Sequence, residues 1–307
     1  MASYANTAKT ADGLEARYEA IKAAMPAQEA NYAAWLKSGT INCDGYVACA
    51  NALGLDLDVA SGHIAYAKSF APPTLDFELW YCRHGKTTGN TEPRVYQGYV
   101  DEPSNALNDV GRGQATDAAD KLQALGLDPD LFVLSPLARA ADTGRAFLAR
   151  TKVPADRVLE WEAAAEMRFG DWDNMMVKDM PDDSICHLFY LGQNAVVKSA
   201  GPYVDPATGA HVSGENFVEV LHRTKRMLSD LEETVAALAG RSDGAAKKVI
   251  IYGHSMAGAA LSILTGNGKQ VDGEAYLGFD GKYIMPNATP VKLVAAKKLT
   301  PPMARTL

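Results

Sequence analysis

Cysteine is scarce in this chain and unpatterned. Cys43, Cys49, Cys82 and Cys186 are its four cysteines, with no CxxC pair among them, which fits neither a zinc site nor the disulfide framework of a small secreted fold. An excess of positive charge is also lacking: 30 Lys plus Arg stand against 37 Asp plus Glu, a formal net charge of -7. Nothing therefore draws the chain toward nucleic acid or an anionic membrane, and neither is expected as a partner. Any anion it binds must be met by a local cationic pocket. Long apolar runs are missing as well. The N-terminus has no signal-peptide core, and the most apolar stretch, 249–264, is broken by His254 and Ser255, well short of a membrane span. The expectation is a soluble, cytoplasmic protein without internal repeats.

What is present is an ordinary globular composition over 307 residues, 47% hydrophobic and 22% charged, enough for about two domains or one large α/β domain with an appendage. Residues 1–71 are Ala-rich and read as short helices: one from Asp12 to Met25, another opening at Pro26 and closing near Gly39, and one or two more before the boundary at Pro72 and Pro73. Beyond Asp76 short apolar runs rich in β-branched and aromatic residues, Phe77–Cys82, Leu131–Leu134 and Val249–Tyr252, read as buried strands, with a last strand at Val291–Ala296. Between them lies a helix capped near Asn108, carrying Ala115, Ala118, Ala119, Leu122 and Leu125 inward and stopping at Gly126. Another places Phe217, Val220, Leu221, Leu228, Leu231, Val235 and Leu238 at helical spacing and stops at Gly240. Strands alternating with helices imply an α/β fold, a largely parallel sheet covered on both faces. Residues 174–214, rich in Gly and Pro, read as a long irregular insertion of the kind that covers active sites.

In open α/β sheets, ligands sit beyond the carboxyl ends of the strands. Here those ends agree with one another. The first delivers Arg83, His84 and Gly85, then Thr87 and Asn90; the second delivers Ser135 and, at the opening of its helix, Arg139; the third delivers Gly253, His254 and Ser255 at another helix start. Two arginines, two histidines and helix-start amides describe a site for a phosphoryl group. Gln97 and Gly98 follow in a polar loop, and Glu166 is a carboxylate suited to proton donation beside a bound phosphate.

At these residues the sequence resembles the histidine phosphatase superfamily, the phosphoglycerate mutase-like fold. Arg83, His84, Gly85, Thr87 and Asn90 meet the opening signature; Ser135, Pro136, Leu137, Arg139 and Ala140 meet the second block; Glu166, Phe169, Gly170 and Trp172 meet the acid block; Val249 to His254 meet the final strand-then-histidine. The resemblance covers about residues 76–297 and implies a three-layer α/β/α sandwich at 73–307; it says nothing about residues 1–71, and the helical N-terminal extension at 1–72 is read from the residue pattern alone, with its role open. The resemblance implies a metal-independent phosphomonoesterase without cofactor, acting through phosphohistidine on a small phosphorylated metabolite such as a sugar phosphate or bisphosphate. His84 would be the nucleophile and Glu166 the acid and then the base. Arg83, Arg139 and His254 would hold the phosphoryl oxygens, with Gly85, Thr87, Asn90, Gln97, Gly98 and Ser255 binding substrate. Where the family's mutases carry Arg-His-Tyr-Gly after the acid, this chain has Met167-Arg168-Phe169-Gly170, which favours a phosphatase over mutase-type phosphoryl transfer.

Two other readings differ in class. Gly253-His254-Ser255-Met256-Ala257 is similar to the nucleophile elbow of an α/β-hydrolase, whose histidine follows the serine in the chain; no histidine occurs in the 52 residues after Ser255. A catalytically inactive binding protein on the same fold is the other, and intact His84, Glu166, His254, Arg83 and Arg139 argue against it.

Overall fold

A computed structural model describes residues 12–91, 94–279, 283 and 285–296. The expected N-terminal extension begins with residues 1–11, which lie outside the described residues. Helix α1 (Asp12–Ser38) and α2 (Cys43–Ala52) are followed by β1 (Leu55–Asp58) and β2 (His63–Tyr66). Then come β3 (Phe77–Arg83), α3 (Asp109–Ala124), β4 (Leu131–Leu134), α4 (Ala138–Leu148) and β5 (Val158–Glu160). A short α5 (Cys186–Tyr190) and the two-residue strands β6 (Tyr203–Val204) and β7 (His211–Val212) lead to α6 (Phe217–Ala237). The chain continues through β8 (Lys247–Gly253), α7 (Ser255–Leu264), β9 (Lys269–Gln270), β10 (Leu277–Gly278) and β11 (Val291–Val294).

The central sheet runs β11-β3-β8-β4-β5, parallel except for β11, which is antiparallel to β3. Alternate strand residues point to opposite faces, and the core follows that period. Leu79, Tyr81, Val133, Val249 and Ile251 pack with Leu228 and Leu231 of α6 and Leu261 of α7. Cys82, Phe132, Leu134, Ile250 and Tyr252 pack on the other face with Ala119 and Leu122 of α3 and Phe147 of α4. The sheet is thus sandwiched between two helical layers, as expected.

A third cluster joins the N-terminal segment to the rest: Tyr32, Ala50, Leu55 and Ile64 share one buried core with Phe189, Phe217, Leu221 and Phe279. Hydrogen bonds reinforce it, from Gln28 Nε2 to the Asp182 carbonyl at 2.6 Å and from Asn194 Nδ2 to the Ser61 carbonyl at 3.0 Å.

Four local expectations are corrected. Pro26 does not divide two helices but sits inside α1, because the buried stripe of Ile21, Gln28 and Tyr32 anchors both halves on one surface and offsets the lost backbone bond. The stretch before Pro72 holds the β1–β2 hairpin as well as α2. Its turn is closed by the Asp58 carboxylate, which accepts from Ala60 N at 3.0 Å and Ser61 Oγ at 2.7 Å, and by Gly62 at φ 73. Leu125 is not inward but 67% exposed, since it caps α3 after the helix has left the sheet. The 174–214 insertion carries α5 and the β6–β7 hairpin rather than being wholly irregular.

Candidate active site

Register alone brings the two histidines together. In the parallel pair β3–β8, Arg83 stands opposite Gly253, so the next residue of each strand emerges on the same end of the sheet. The His84 and His254 rings are 5.3 Å apart between centroids. Ser135 joins them from β4, its amide donating to the Tyr252 carbonyl at 3.0 Å. His84, His254, Arg139 and Glu166 are all buried.

His84 Nδ1 is 2.7 Å from the Gly85 carbonyl oxygen. A carbonyl only accepts, so Nδ1 carries the proton and Nε2 keeps its lone pair. Burial, with Arg139 and Arg83 adding to it, holds the imidazole well below its usual range, which keeps it neutral and nucleophilic. His254 is shifted the same way by burial and then by Arg139. Its Nε2 meets Ser135 Oγ at 2.8 Å, while Nδ1 is buried without a hydrogen-bond partner.

The arginines are held from behind. Arg139, in the first turn of α4, forks to two carbonyls, Nη1 to Val100 at 2.9 Å and Nη2 to Gly98 at 2.6 Å. Arg83 Nη1 reaches the Met285 carbonyl at 3.2 Å. Both Nε atoms are buried and unpartnered. Burial lowers the basicity of both, that of Arg139 to about 10, with Glu166 opposing the shift in each. Both stay cationic at neutral pH. Three orphaned nitrogens, on Arg83, Arg139 and His254, therefore accompany the free Nε2 of His84, an arrangement suited to oxyanion oxygens.

Glu166 caps α7. Its carboxylate accepts from Ser255 N at 2.9 Å, Ser255 Oγ at 2.7 Å, Met256 N at 3.0 Å, Ala257 N at 3.2 Å and Met167 N at 2.9 Å. A helix N-terminus attracts the nearest anion, so these helix-start amides serve Glu166 rather than standing open to a phosphoryl group. Other expected substrate contacts likewise have partners within the protein. The Gly85 amide donates to Thr143 Oγ1 at 2.9 Å. Asn90 Oδ1 accepts from Thr87 N at 2.7 Å, and Thr87 Oγ1 donates to Gln97 Oε1 at 2.7 Å. Thr87, Asn90, Gln97 and Gly98 thereby form one braced loop, and the Gly98 carbonyl delivers that brace to Arg139.

Asp173 is a buried carboxylate that motif reading missed. It accepts from Phe169 N at 3.0 Å and Tyr99 N at 3.2 Å, tying the Gln97–Val100 loop to the acid block. A Cβ on Gly98, whose φ is 43, would lie 1.6 Å from Asp173 Oδ1, so only glycine fits there. Burial pushes the Asp173 carboxyl up to about 8, against its two amide donors and Arg139. From the insertion, Tyr190 stacks on Tyr96 at 4.6 Å and is close enough to Arg83 to act on its charge.

The serine elbow has no geometry of its own. Ser255 Oγ donates to Glu166, the serine that touches His254 is Ser135, and His254 Nδ1 has no carboxylate partner. Ser255 and His254 thus do not form a Ser-His-acid triad among the described residues.

Comparison with known proteins shows the family. A profile of the histidine phosphatase superfamily (branch 1) matches residues 79–262. A mannitol-1-phosphatase of Eimeria tenella is 43% identical over 310 aligned positions, covering 96% of this chain and 99% of the relative. Among solved structures, a mycobacterial glucosyl-3-phosphoglycerate phosphatase aligns at 27% identity and a TM-score of 0.48, over 61% of this chain and 77% of the other. The α-ribazole phosphatase of Shigella flexneri aligns at 24% identity and a TM-score of 0.44, over 61% and 77%. With the family profile spanning more than half its length and a relative matched almost end to end, this chain belongs to the histidine phosphatase superfamily and is a phosphoric monoester hydrolase.

Proposed function

We propose that the substrate is the phosphomonoester of an acyclic sugar alcohol, of the kind named for the Eimeria tenella relative, and that hydrolysis runs through phosphohistidine. The observation that carries the chemistry is the neutral His84, with Nδ1 committed to the Gly85 carbonyl, among the unpartnered nitrogens of Arg83, Arg139 and His254.

A phosphoryl group bound beside Glu166 favours the acid form over the capping carboxylate by like-charge repulsion. In the first step His84 Nε2 forms a bond to phosphorus as the bond to the ester oxygen breaks, and that acid gives the oxygen its proton. Arg83, Arg139 and His254 hold the three remaining oxygens, so positioning and charge stabilisation supply most of the rate. In the second step Glu166, now a carboxylate, takes a proton from water as its oxygen attacks phosphorus and the P–N bond breaks. Inorganic phosphate leaves, and His84 and Glu166 return to their starting forms. The cationic charge comes from side chains, so no divalent ion is required. The N-terminal segment, through Gln28 and Ser61, braces the insertion that carries Tyr190 toward the substrate.

The test is a screen of purified protein, with EDTA present, on mannitol 1-phosphate, hexose phosphates, a hexose bisphosphate and a phosphoglycerate. The highest kcat/KM is expected on the polyol phosphate. A preference for the phosphoglycerate, or dependence on an added divalent ion, would overturn this reading.

A further inference from the structure

Tyr81 lies in the middle of the sheet, 1% exposed, on the strand that ends at Arg83, just before His84. Its hydroxyl makes two hydrogen bonds to a single residue, accepting from His254 N at 2.6 Å and donating to the His254 carbonyl at 2.8 Å. The backbone conformation explains why one hydroxyl can serve both. His254 is extended, at φ -132 and ψ -177, and in an extended residue N–H and C=O turn to the same side. The carbonyl also receives the Gly258 amide at 3.0 Å, the opening bond of α7.

Space for the phenol ring is made by two glycines that have no unusual φ. A Cβ on Gly253 would lie 2.4 Å from Tyr81 Oη, and one on Gly258 would lie 2.7 Å from Tyr81 Cε1. These glycines flank His254 in the chain and pack on the side chain that holds its backbone. Burial holds the phenol well above its ordinary range, so the hydroxyl keeps the proton it donates. With N and O of His254 pinned by Tyr81 and Nε2 engaged by Ser135, the remaining polar atom is the unpartnered Nδ1.

We propose that Tyr81 is a positioning residue for His254: its hydroxyl fixes the backbone from which the ring projects and so sets where Nδ1 meets the phosphoryl group. The inference rests on the reading of His254 as a phosphoryl donor. It adds to the recognised site a residue that does not touch substrate and that sequence alone assigns to the core.

The experiment is a double-mutant cycle on the full chain with Tyr81→Phe and His254→Ala, read as kcat, KM and the inhibition constant for vanadate. Phe keeps the ring that fills the space beside the glycines and removes only the hydroxyl. Tyr81→Phe is expected to lower kcat by about 10- to 100-fold, as a small misplacement of a catalytic group does, to weaken vanadate in parallel, and to leave KM within about threefold. In the His254→Ala background the same change is expected to cost less than about twofold. An undiminished loss in that background, or an unchanged kcat in Tyr81→Phe, would overturn the proposal. Full activity in His254→Ala would instead overturn the reading of the site on which it rests. If Tyr81→Phe does not fold, Gly258→Ala displaces the ring without removing the hydroxyl. Its kcat should fall likewise and the loss should vanish with His254→Ala; a loss that persists there counts against the proposal.

Discussion

Ser255 gives Glu166 two donors on one carboxylate oxygen, its amide at 2.9 Å and its hydroxyl at 2.7 Å. The hydroxyl is one of several groups holding the acid, whereas His254 has no understudy. Ser255→Ala should therefore lower kcat by about tenfold or less, the worth of one net hydrogen bond. His254→Ala should cost about 10² or more, as loss of a preorganised donor does. Assays on a phosphomonoester and on a carboxylic ester check the ranking. Ester turnover that disappears with Ser255→Ala and survives His84→Ala would reverse it.

Rapid mixing with labelled substrate should trap phosphate on the protein in a form that is labile in acid and stable in base. His84→Ala should abolish both the trapped label and turnover. A variant that keeps either would remove His84 from the nucleophile's role.

The two buried histidines make the fold sensitive to acid. Both are held well below the ordinary imidazole value, chiefly by burial. Below about pH 6.5 the unfolded chain takes up a proton at each while the folded chain does not, so stability is present above that pH and is lost as pH falls. The slope is about 1.4 kcal/mol per pH unit for each histidine. Urea unfolding from pH 8 to 5 should show the difference between wild type and His84→Gln shrinking by about that slope below pH 6.5. A constant difference would mean that His84 is protonated in the folded protein.

Asp173 works in the opposite direction. Its carboxyl is raised from 3.8 to about 8 by burial, so the folded chain holds a proton that the unfolded chain has already released. The stability it contributes is present at acid pH and is lost as pH rises between those two values. Relative to Asp173→Asn, wild type should lose ground steadily from pH 4 to 8 and level off above. A flat difference across that window would show that the folded Asp173 is ionised throughout.

The sheet and the residues at its ends were legible because buried parallel strands are short apolar runs, and each breaks into polar residues where it leaves the sheet. Phe77, Leu131 and Val249 each open such a run, and His84, Ser135 and His254 follow directly. The β1–β2 hairpin was not legible, because Leu55, Leu57, Ile64 and Tyr66 alternate over only four residues per strand inside an Ala-rich stretch. Tyr81 and Asp173 were hidden for another reason. Tyr81 holds His254, 173 residues away, and Asp173, besides the local amide of Phe169, holds Tyr99, 74 residues away, and no local periodicity encodes a hydrogen bond across such separations. The helix-start amides of Ser255 to Ala257 were identified as an anion site, but which anion occupies them depends on where the chain brings Glu166.

Strand β3 pairs with β8 and β11 and with no other strand of its sheet. Both partners come late: Arg83 meets Gly253, 170 residues downstream, and Tyr81 meets Val291. A ribosome adding about 5–20 residues per second needs roughly 10–30 s to cover the first interval. For that time a strand carrying Leu79 and Tyr81 waits with both edges unpaired, while β4 and β5 find each other across a short helix. The nascent chain is therefore most prone to wrong pairing between the emergence of β3 and that of β8, and a hydrophobic segment of a neighbouring polypeptide is the natural competitor. Chaperone demand in expression should fall on this interval, and a circular permutant that begins at β8 would shorten it.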